Sequence, residues 1–233
     1  MKEKNHKLLP EISPEVLKEI DLFEADAKKF LAGELAADKF QRIRLQHGVY
    51  GQRQDGVQMI RIKIPLGILT AEQVEAIAYE AETIAHNNAH ITTRQDIQIH
   101  YVKLQNTPAM MRRLAAVGLT TREACGNTVR NVTASPSAGV DPEEAFDVTP
   151  YAHAVAMHLL RNPICQNLPR KFKLAFDGGG VMTALPMMHE IGLVAVMQGQ
   201  KRGFRVYVGG GLGSSPRIAK LLNDFMPAEE LIP

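Results

Sequence analysis

The stretch VQMIRIKIP, Val57 to Pro65, is the segment that most directly indicates the fold. Side chains alternate between the two faces of a β-strand, so this pattern predicts a strand with one apolar and one basic face. The apolar face carries Ile60, Ile62 and Ile64, and the basic face carries Arg61 and Lys63. Proline lacks a backbone N–H, so Pro65 is expected to end the strand.

The segments on either side of this strand predict a small β-α-β-α unit. Thr70 with Gln73 forms a capping-box pattern that opens a helix. A second strand is expected over Ile97 to Val102, and Thr107-Pro108 should begin a helix that ends at Gly118. An earlier helix is expected from Ser13 to about Leu35, with Ser13 as its N-cap.

A second unit of mixed α and β structure is expected from Leu119 onward. Its expected elements run in chain order as a helix over 149–161, strands over 171–176, 191–197 and 203–208, a glycine-rich turn over 209–213 and a closing helix after Pro216. The whole chain is therefore predicted to be an α+β protein in two parts.

Composition indicates an ordinary globular protein. The 233 residues are 45% hydrophobic and 22% charged, with a net charge of only +2, so no global field favours nucleic acid or a membrane surface. No apolar run approaches the roughly 18–20 residues of a membrane helix. The polar start, residues 1–14, lacks the apolar core of a signal peptide, and the two cysteines fit a reducing compartment. A cytoplasmic protein is expected.

Basic residues at strand positions are the main functional signal in the residues themselves. Lys171 and Lys173 share one strand face, Arg94 precedes another strand, and Arg130 follows a Gly-Asn-Thr segment. Solvated outer faces of half-exposed sheets would explain any one of these positions. Several converging cationic faces would instead require an anion between them, which favours a polyanionic ligand.

Other motifs are less specific. The run Gly209-Gly210-Gly211 after a strand fits either a tight turn or a ligand loop, and Ser214 breaks the dinucleotide-binding pattern. His86 and His90 have helical metal-ligand spacing but no obvious third ligand. No metal site is predicted.

Six stretches resemble the sirohaem-dependent sulfite and nitrite reductase family, in the family's order and spacing. They are His47–Tyr50, Met59–Pro65, Thr92–His100, Gly126–Val132, Leu168–Lys173 and Val208–Leu212. The resemblance implies a ferredoxin-like half-domain followed by a mixed α/β sirohaem-binding domain. The implied division is an N-terminal helical extension over 1–42, the half-domain over 43–118 and the first sirohaem-binding domain over 119–233.

The resemblance also implies roles for individual residues. Four basic side chains would bind the oxyanion over the haem: Arg61, Arg130, Lys171 and Lys173. The residues implied in holding sirohaem are Arg94, whose partner would be a carboxylate of the macrocycle, Asn127, Arg130, Gly209, Gly210 and Gly211. The family reduces sulfite or nitrite by six electrons, and cationic side chains would stabilise charge that develops on the bound oxyanion.

The chain departs from the family in length and in cysteines. Complete members carry a second, pseudo-two-fold half with C-x5-C and C-x3-C pairs that bind a [4Fe–4S] cluster, and those four cysteines do not occur here. The resemblance therefore implies an incomplete reductase needing a missing C-terminal half or a separate cluster-bearing chain, with ferredoxin or a flavoprotein as electron donor. A homodimer is possible on this interpretation. The alternatives are a non-catalytic tetrapyrrole- or anion-binding module and, more remotely, a nucleotide-binding protein.

Overall fold

The computed structural model describes residues 12–232, so the first part of the expected N-terminal extension lies outside the described residues. The chain divides into two compact units. The first comprises residues up to 63, 69–91 and 97–125; the second comprises 64–68, 92–96 and 126 onward. No helix within residues 12–232 combines the length and apolarity needed to cross a bilayer.

From residue 12 onward the first unit contains four α-helices and a four-stranded antiparallel sheet of order β1-β2-β4-β3. Its elements are α1 (Pro14–Leu31), α2 (Ala37–Gln46), β1 (Val49–Gly51), β2 (Val57–Ile62), α3 (Ala71–Ile84), β3 (Ala89–Ile91), β4 (Ile97–Lys103) and α4 (Thr107–Ala116). A short 3-10 turn, Leu104–Asn106, joins β4 to α4.

The helix starts of this unit follow the local sequence. The Ser13 hydroxyl accepts the Val16 N–H, and Thr70 and Gln73 form both hydrogen bonds of a capping box. Such caps contribute about 1 kcal/mol each. Three isoleucines at the centre of the sheet are fully buried: Ile60, Ile62 and Ile99.

The second unit is built on a five-stranded mixed sheet of order β5-β6-β7-β8-β9. Its elements are β5 (Val129–Ala134), α5 (Thr149–Leu159), β6 (Phe172–Asp177), β7 (Ile191–Gln198), β8 (Lys201–Val208) and β9 (Lys220–Pro227), with 3-10 turns at Pro65–Gly67, Pro163–Cys165, Pro186–Met188 and Ala228–Glu230. Strands β5, β6 and β7 are parallel, whereas β8 and β9 are antiparallel to their neighbours.

The two faces of this sheet differ in side-chain size. On one face, α5 packs on an apolar core that includes Val132, Leu174 and Phe176. On the other face, Thr133, Ala175 and Gly192 lie in register. A Cβ at Gly192 would come within 2.4 Å of the Pro186 oxygen, so glycine there lets residues 186–189 lie directly against the sheet.

The closing helix expected after Pro216 is wrong, because residues 220–227 form β9. Strand β9 pairs antiparallel with β8, from Val208–Lys220 to Gly203–Pro227. The hydrogen bonds that β8 offers along its outer edge lie outside any local window of sequence, and this long-range pairing decides the conformation. Leu221 and Leu222 remain exposed on the outermost strand.

Two other expectations shift. The strand carrying the lysines begins at Phe172, so Lys171 lies just before it, and α1 ends at Leu31 instead of near Leu35. Lys63 is not on a solvated face: it is 3% exposed, and its Nζ donates to Glu123 Oε2 at 3.3 Å.

Candidate functional site

A cavity of about 270 Å³ opens in the second unit, on the sheet face that carries the small residues. Its lining combines two basic side chains, hydroxyl groups and several exposed or half-buried apolar side chains. The lining residues are Thr93, Arg94, Gln95, Thr133, Ala134, Pro136, Lys173, Thr183, Ala184, Leu185, Met188, His189 and Leu212.

A tight loop, residues 92–96, places Arg94 at this cavity. The Thr92 hydroxyl accepts the backbone N–H groups of Arg94 and Asp96, which closes the loop. The Gln95 side-chain amide donates to the Ala134 oxygen at 2.8 Å and accepts the Ala134 N–H at 3.2 Å. Gln95 thus satisfies the backbone groups at the end of β5 and fixes the loop against the sheet.

The guanidinium of Arg94 is buried and only partly satisfied. Its Nη2 donates to the backbone oxygens of Asn131 and Leu174, the latter at 3.2 Å. Its Nε and Nη1 are buried without a hydrogen-bond partner among the described residues. Burial lowers the pKa of Arg94 to about 10, opposed by the carboxylates of Asp96 and Glu190. A guanidinium with two unused donors, on a residue that lines the cavity, is suited to binding a carboxylate or another oxyanion.

Lys173 is paired with an acidic residue. Its Nζ contacts both carboxylate oxygens of Glu190, and its backbone N–H donates to Glu190 Oε2 at 2.9 Å. Glu190 directly precedes β7, where Ile191 pairs with Leu174, so the two side chains lie beside each other on adjacent strands. No sequence motif indicated Glu190 as a site residue. Its place next to the first residue of an apolar strand is the only signal that could have indicated it.

Arg130 and Lys171 belong to the same neighbourhood. Arg130 lies half-buried on β5 and donates from Nε to the Gly126 oxygen at 3.1 Å. The pKa of Lys171 is lowered, first by burial and then by the charges of Arg130, Lys173 and Arg170. The second unit therefore brings three of the four expected oxyanion-binding residues within electrostatic reach of one another, together with Arg94.

Arg61 lies on β2 of the first unit. Its guanidinium stacks on the Tyr50 ring at 5.3 Å, and Nη1 donates to the Ala124 oxygen at 3.4 Å. Asn127 is exposed, and its backbone oxygen accepts the Leu168 N–H at 2.9 Å.

The glycine loop has a packing role in the structure. Gly209 has a left-handed φ of +84°, and a Cβ at Gly210 would come within 2.4 Å of the Met187 oxygen. Gly211 and Arg217 exchange two backbone hydrogen bonds. Leu212, between them, lines the cavity, so the loop presents an apolar side chain to any ligand there.

The placement of the described His, Cys, Asp and Glu side chains does not favour a metal site. Within residues 12–232 no group of three or more His, Cys, Asp or Glu side chains is placed to hold a metal ion. Cys125 and Cys165 are buried, are not joined in a disulfide and lie in different units. His90 is on β3, and its ring faces His100 on β4 at 6.3 Å, instead of sharing a helix with His86.

Comparisons with known proteins assign this fold to the nitrite and sulfite reductase class. The profile described as the nitrite/sulfite reductase ferredoxin-like half domain matches residues 50–117, and the nitrite and sulphite reductase 4Fe-4S domain matches residues 125–233. This chain belongs to the sirohaem sulfite and nitrite reductase family and corresponds to its N-terminal half.

Three relatives illustrate the similarity. The chloroplastic ferredoxin–nitrite reductase of Oryza sativa is 33% identical over 86% of this chain and 36% of its own length. Sulfite reductase [ferredoxin] 1 of Mycolicibacterium paratuberculosis is 29% identical over 79% of this chain and 36% of its own. The solved NirA protein of Mycobacterium tuberculosis superposes with a TM-score of 0.81 at 26% identity, covering 93% of this chain and 44% of that one. The chain thus spans little more than a third of the length of these curated relatives.

Proposed function

We propose that this chain is the N-terminal half of a sirohaem/[4Fe–4S] reductase that reduces sulfite or nitrite by six electrons. The observation that carries the proposal is the guanidinium of Arg94. Arg94 lines a cavity that also contains Lys173 and apolar side chains, and two of its guanidinium nitrogens are buried without a hydrogen-bond partner among the described residues. An aromatic macrocycle that bears carboxylates would present apolar surface to the apolar side chains and negative charge to the two basic residues.

The residues present fit one edge of such a macrocycle. Leu185, Met188 and Leu212 offer apolar contacts, while Arg94 offers two N–H groups to a carboxylate. A cavity of about 270 Å³ has room for a carboxylate-bearing edge and not for the whole ring system. When bound, sirohaem would pass electrons from the external donor to the substrate, and the protein would supply binding and electrostatics.

We assign the side chains to two tasks. Arg94, Asn127 and the Gly209–Gly211 loop would hold the macrocycle, and Arg130 would contribute to both tasks. Arg61, Lys171 and Lys173 would join Arg130 in binding the oxyanion and stabilising negative charge as each S–O or N–O bond breaks. The proposed domain division remains 1–42, 43–118 and 119–233.

The iron–sulfur cluster does not fit this chain. A [4Fe–4S] cluster needs four thiolates, and the sequence contains two cysteines, which lie in different units. We therefore propose that cluster ligation and electron entry belong to a C-terminal half or a separate chain, with ferredoxin or a flavoprotein as donor. The ferredoxin-dependent relatives support a ferredoxin donor. We also propose a cytoplasmic location, because two cysteines are too few for a disulfide framework and fit a reducing compartment.

One observation favours the second candidate, a non-catalytic tetrapyrrole- or anion-binding module. The ammonium of Lys173 is already neutralised by Glu190, which weakens its expected action on a substrate anion. Such a module would bind a polycarboxylate macrocycle through Arg94 without performing reduction.

Expression of the full chain with sirohaem synthesis enabled tests the binding step. We expect the purified protein to carry the absorption bands of bound sirohaem and an Arg94→Ala variant to lose most of them. Arg112→Ala is the matched control, because Arg112 pairs with Asp21 and Glu24 in the other unit. A folded wild-type chain without those bands would refute the proposal. Addition of a cluster-bearing half followed by a sulfite or nitrite reduction assay separates the reductase from the module.

A further inference from the structure

The carboxylate of Glu190 occupies a central place among the basic residues of the second unit. Lys173 and Glu190 lie two residues before Ala175 and Gly192, which are in register, so their side chains share the sheet face of the cavity. Both Glu190 oxygens contact the Lys173 ammonium, and neither side chain is more than about a quarter exposed.

Glu190 also acts on the neighbouring cations. Among the influences on the pKa of Arg94, its charge opposes the lowering caused by burial, and the same is true for Lys171. One carboxylate therefore compensates part of the positive charge of three basic residues. Removal of that carboxylate would leave the group with a larger net positive charge and a free ammonium.

We propose that Glu190 is an internal counter-anion. Its carboxylate pairs with the Lys173 ammonium in the ligand-free site, and an incoming oxyanion must displace it from that ammonium. This inference rests on the proposed function, since it requires the site to take an anion. It adds that the chain carries its own carboxylate, which competes with that anion for Lys173.

The physical consequence is a penalty that depends on ligand charge. An anion near Lys173 is repelled by the Glu190 carboxylate, and Coulomb repulsion is proportional to the charge of the ligand. A dianion should therefore lose about twice as much binding free energy as a monoanion of similar size. Glu190 would weaken the binding of both and would discriminate against the dianion.

An opposite interpretation gives an opposite result. If Glu190 served only to position Lys173 for ligand binding, its removal would free the long lysine side chain and weaken anion binding. The sign of the change in affinity therefore decides between competition and positioning.

The experiment is calorimetric titration of the 233-residue chain with sulfate as the dianion and nitrate as the monoanion, at constant ionic strength. Glu190→Gln preserves size and keeps an acceptor for the Lys173 N–H. We expect it to bind sulfate about tenfold more tightly and nitrate about threefold more tightly than wild type. Glu230→Gln, an exposed residue of the same unit, should change neither affinity.

Two further variants make the result specific. In a Lys173→Met background the gain from Glu190→Gln should be smaller, because there is no Lys173–Glu190 pair to separate and only the repulsion between Glu190 and the anion is relieved. Glu190→Asp keeps the charge but shortens the side chain, and it should give a smaller gain in anion affinity. This variant tests the same inference if Glu190→Gln does not fold.

Equal or weaker sulfate binding by folded Glu190→Gln would overturn the inference while leaving the proposed function intact, provided that the wild-type chain retains sirohaem. Absence of anion binding in every variant would overturn it as well. Absence of both anion binding and sirohaem retention would overturn the proposed function too.

Discussion

Replacement of Arg94 by methionine should separate ligand binding from stability. The guanidinium donates to the backbone oxygens of Asn131 and Leu174. Hydrogen bonds from a charged donor contribute about 1.5–3 kcal/mol each, so their loss should cost about 3–6 kcal/mol. Methionine keeps the apolar contacts of the arginine stem and leaves a cavity wall without a charge.

The opposing effect is that the variant no longer buries a charged guanidinium. Desolvation of the guanidinium lowers the pKa of Arg94 to about 10, well below its ordinary value. This corresponds to a cost of about 3 kcal/mol for the charged form in the folded state. The variant recovers that cost, and it also removes two buried donors that lack partners. The expected net loss in the free energy of unfolding is therefore small, about 0–3 kcal/mol.

Ligand affinity should respond more strongly. A charge-assisted pair between Arg94 and a ligand carboxylate is worth about 1.5–3 kcal/mol, so Arg94→Met should weaken sirohaem binding about tenfold to a hundredfold. Urea unfolding followed by circular dichroism gives the stability, and an absorption titration gives the affinity. Arg112→Met is the control for both. Unchanged sirohaem affinity, or destabilisation well beyond 3 kcal/mol, would show that Arg94 is a structural residue.

Three other predictions concern the rest of the chain. Glu123→Gln should destabilise the fold by about 3–5 kcal/mol, because it leaves the buried Lys63 ammonium without its carboxylate; urea unfolding measures this, and a loss below 1 kcal/mol would contradict it. Burial, with the charge of Arg94, lowers the pKa of His189 in the fold, so its contribution to stability is present above about pH 6.5 and is lost as the pH falls. His189→Gln should flatten that acid-side loss in pH-dependent unfolding, and an unchanged pH profile would argue against the effect. Exposed apolar side chains on the edge strand β9 should promote concentration-dependent self-association, which Leu222→Lys should reduce in light scattering; a wild-type monomer at all concentrations would refute this.

Short-range signals in the sequence predicted several of the local elements correctly. The starts of α1 and α3 depend on hydrogen bonds between residues three apart, Ser13 with Val16 and Thr70 with Gln73. The β7–β8 hairpin depends on two neighbouring apolar segments joined by Gly199 and Gln200. The family resemblance, carried by short motifs in order, was confirmed by the profile matches.

The sequence by itself thus determined the α+β class, the family and most helix and strand positions, because these depend on periodicity, capping and motif order within short windows. Only the tertiary structure decided that residues 220–227 are a strand, that Lys63 is buried against Glu123 and that Glu190 neutralises Lys173. Each of these depends on a partner 17 or more positions away or on a strand edge that exists only after folding. The same holds for the unpartnered donors of Arg94, since their burial is a property of the packed unit and of no local segment.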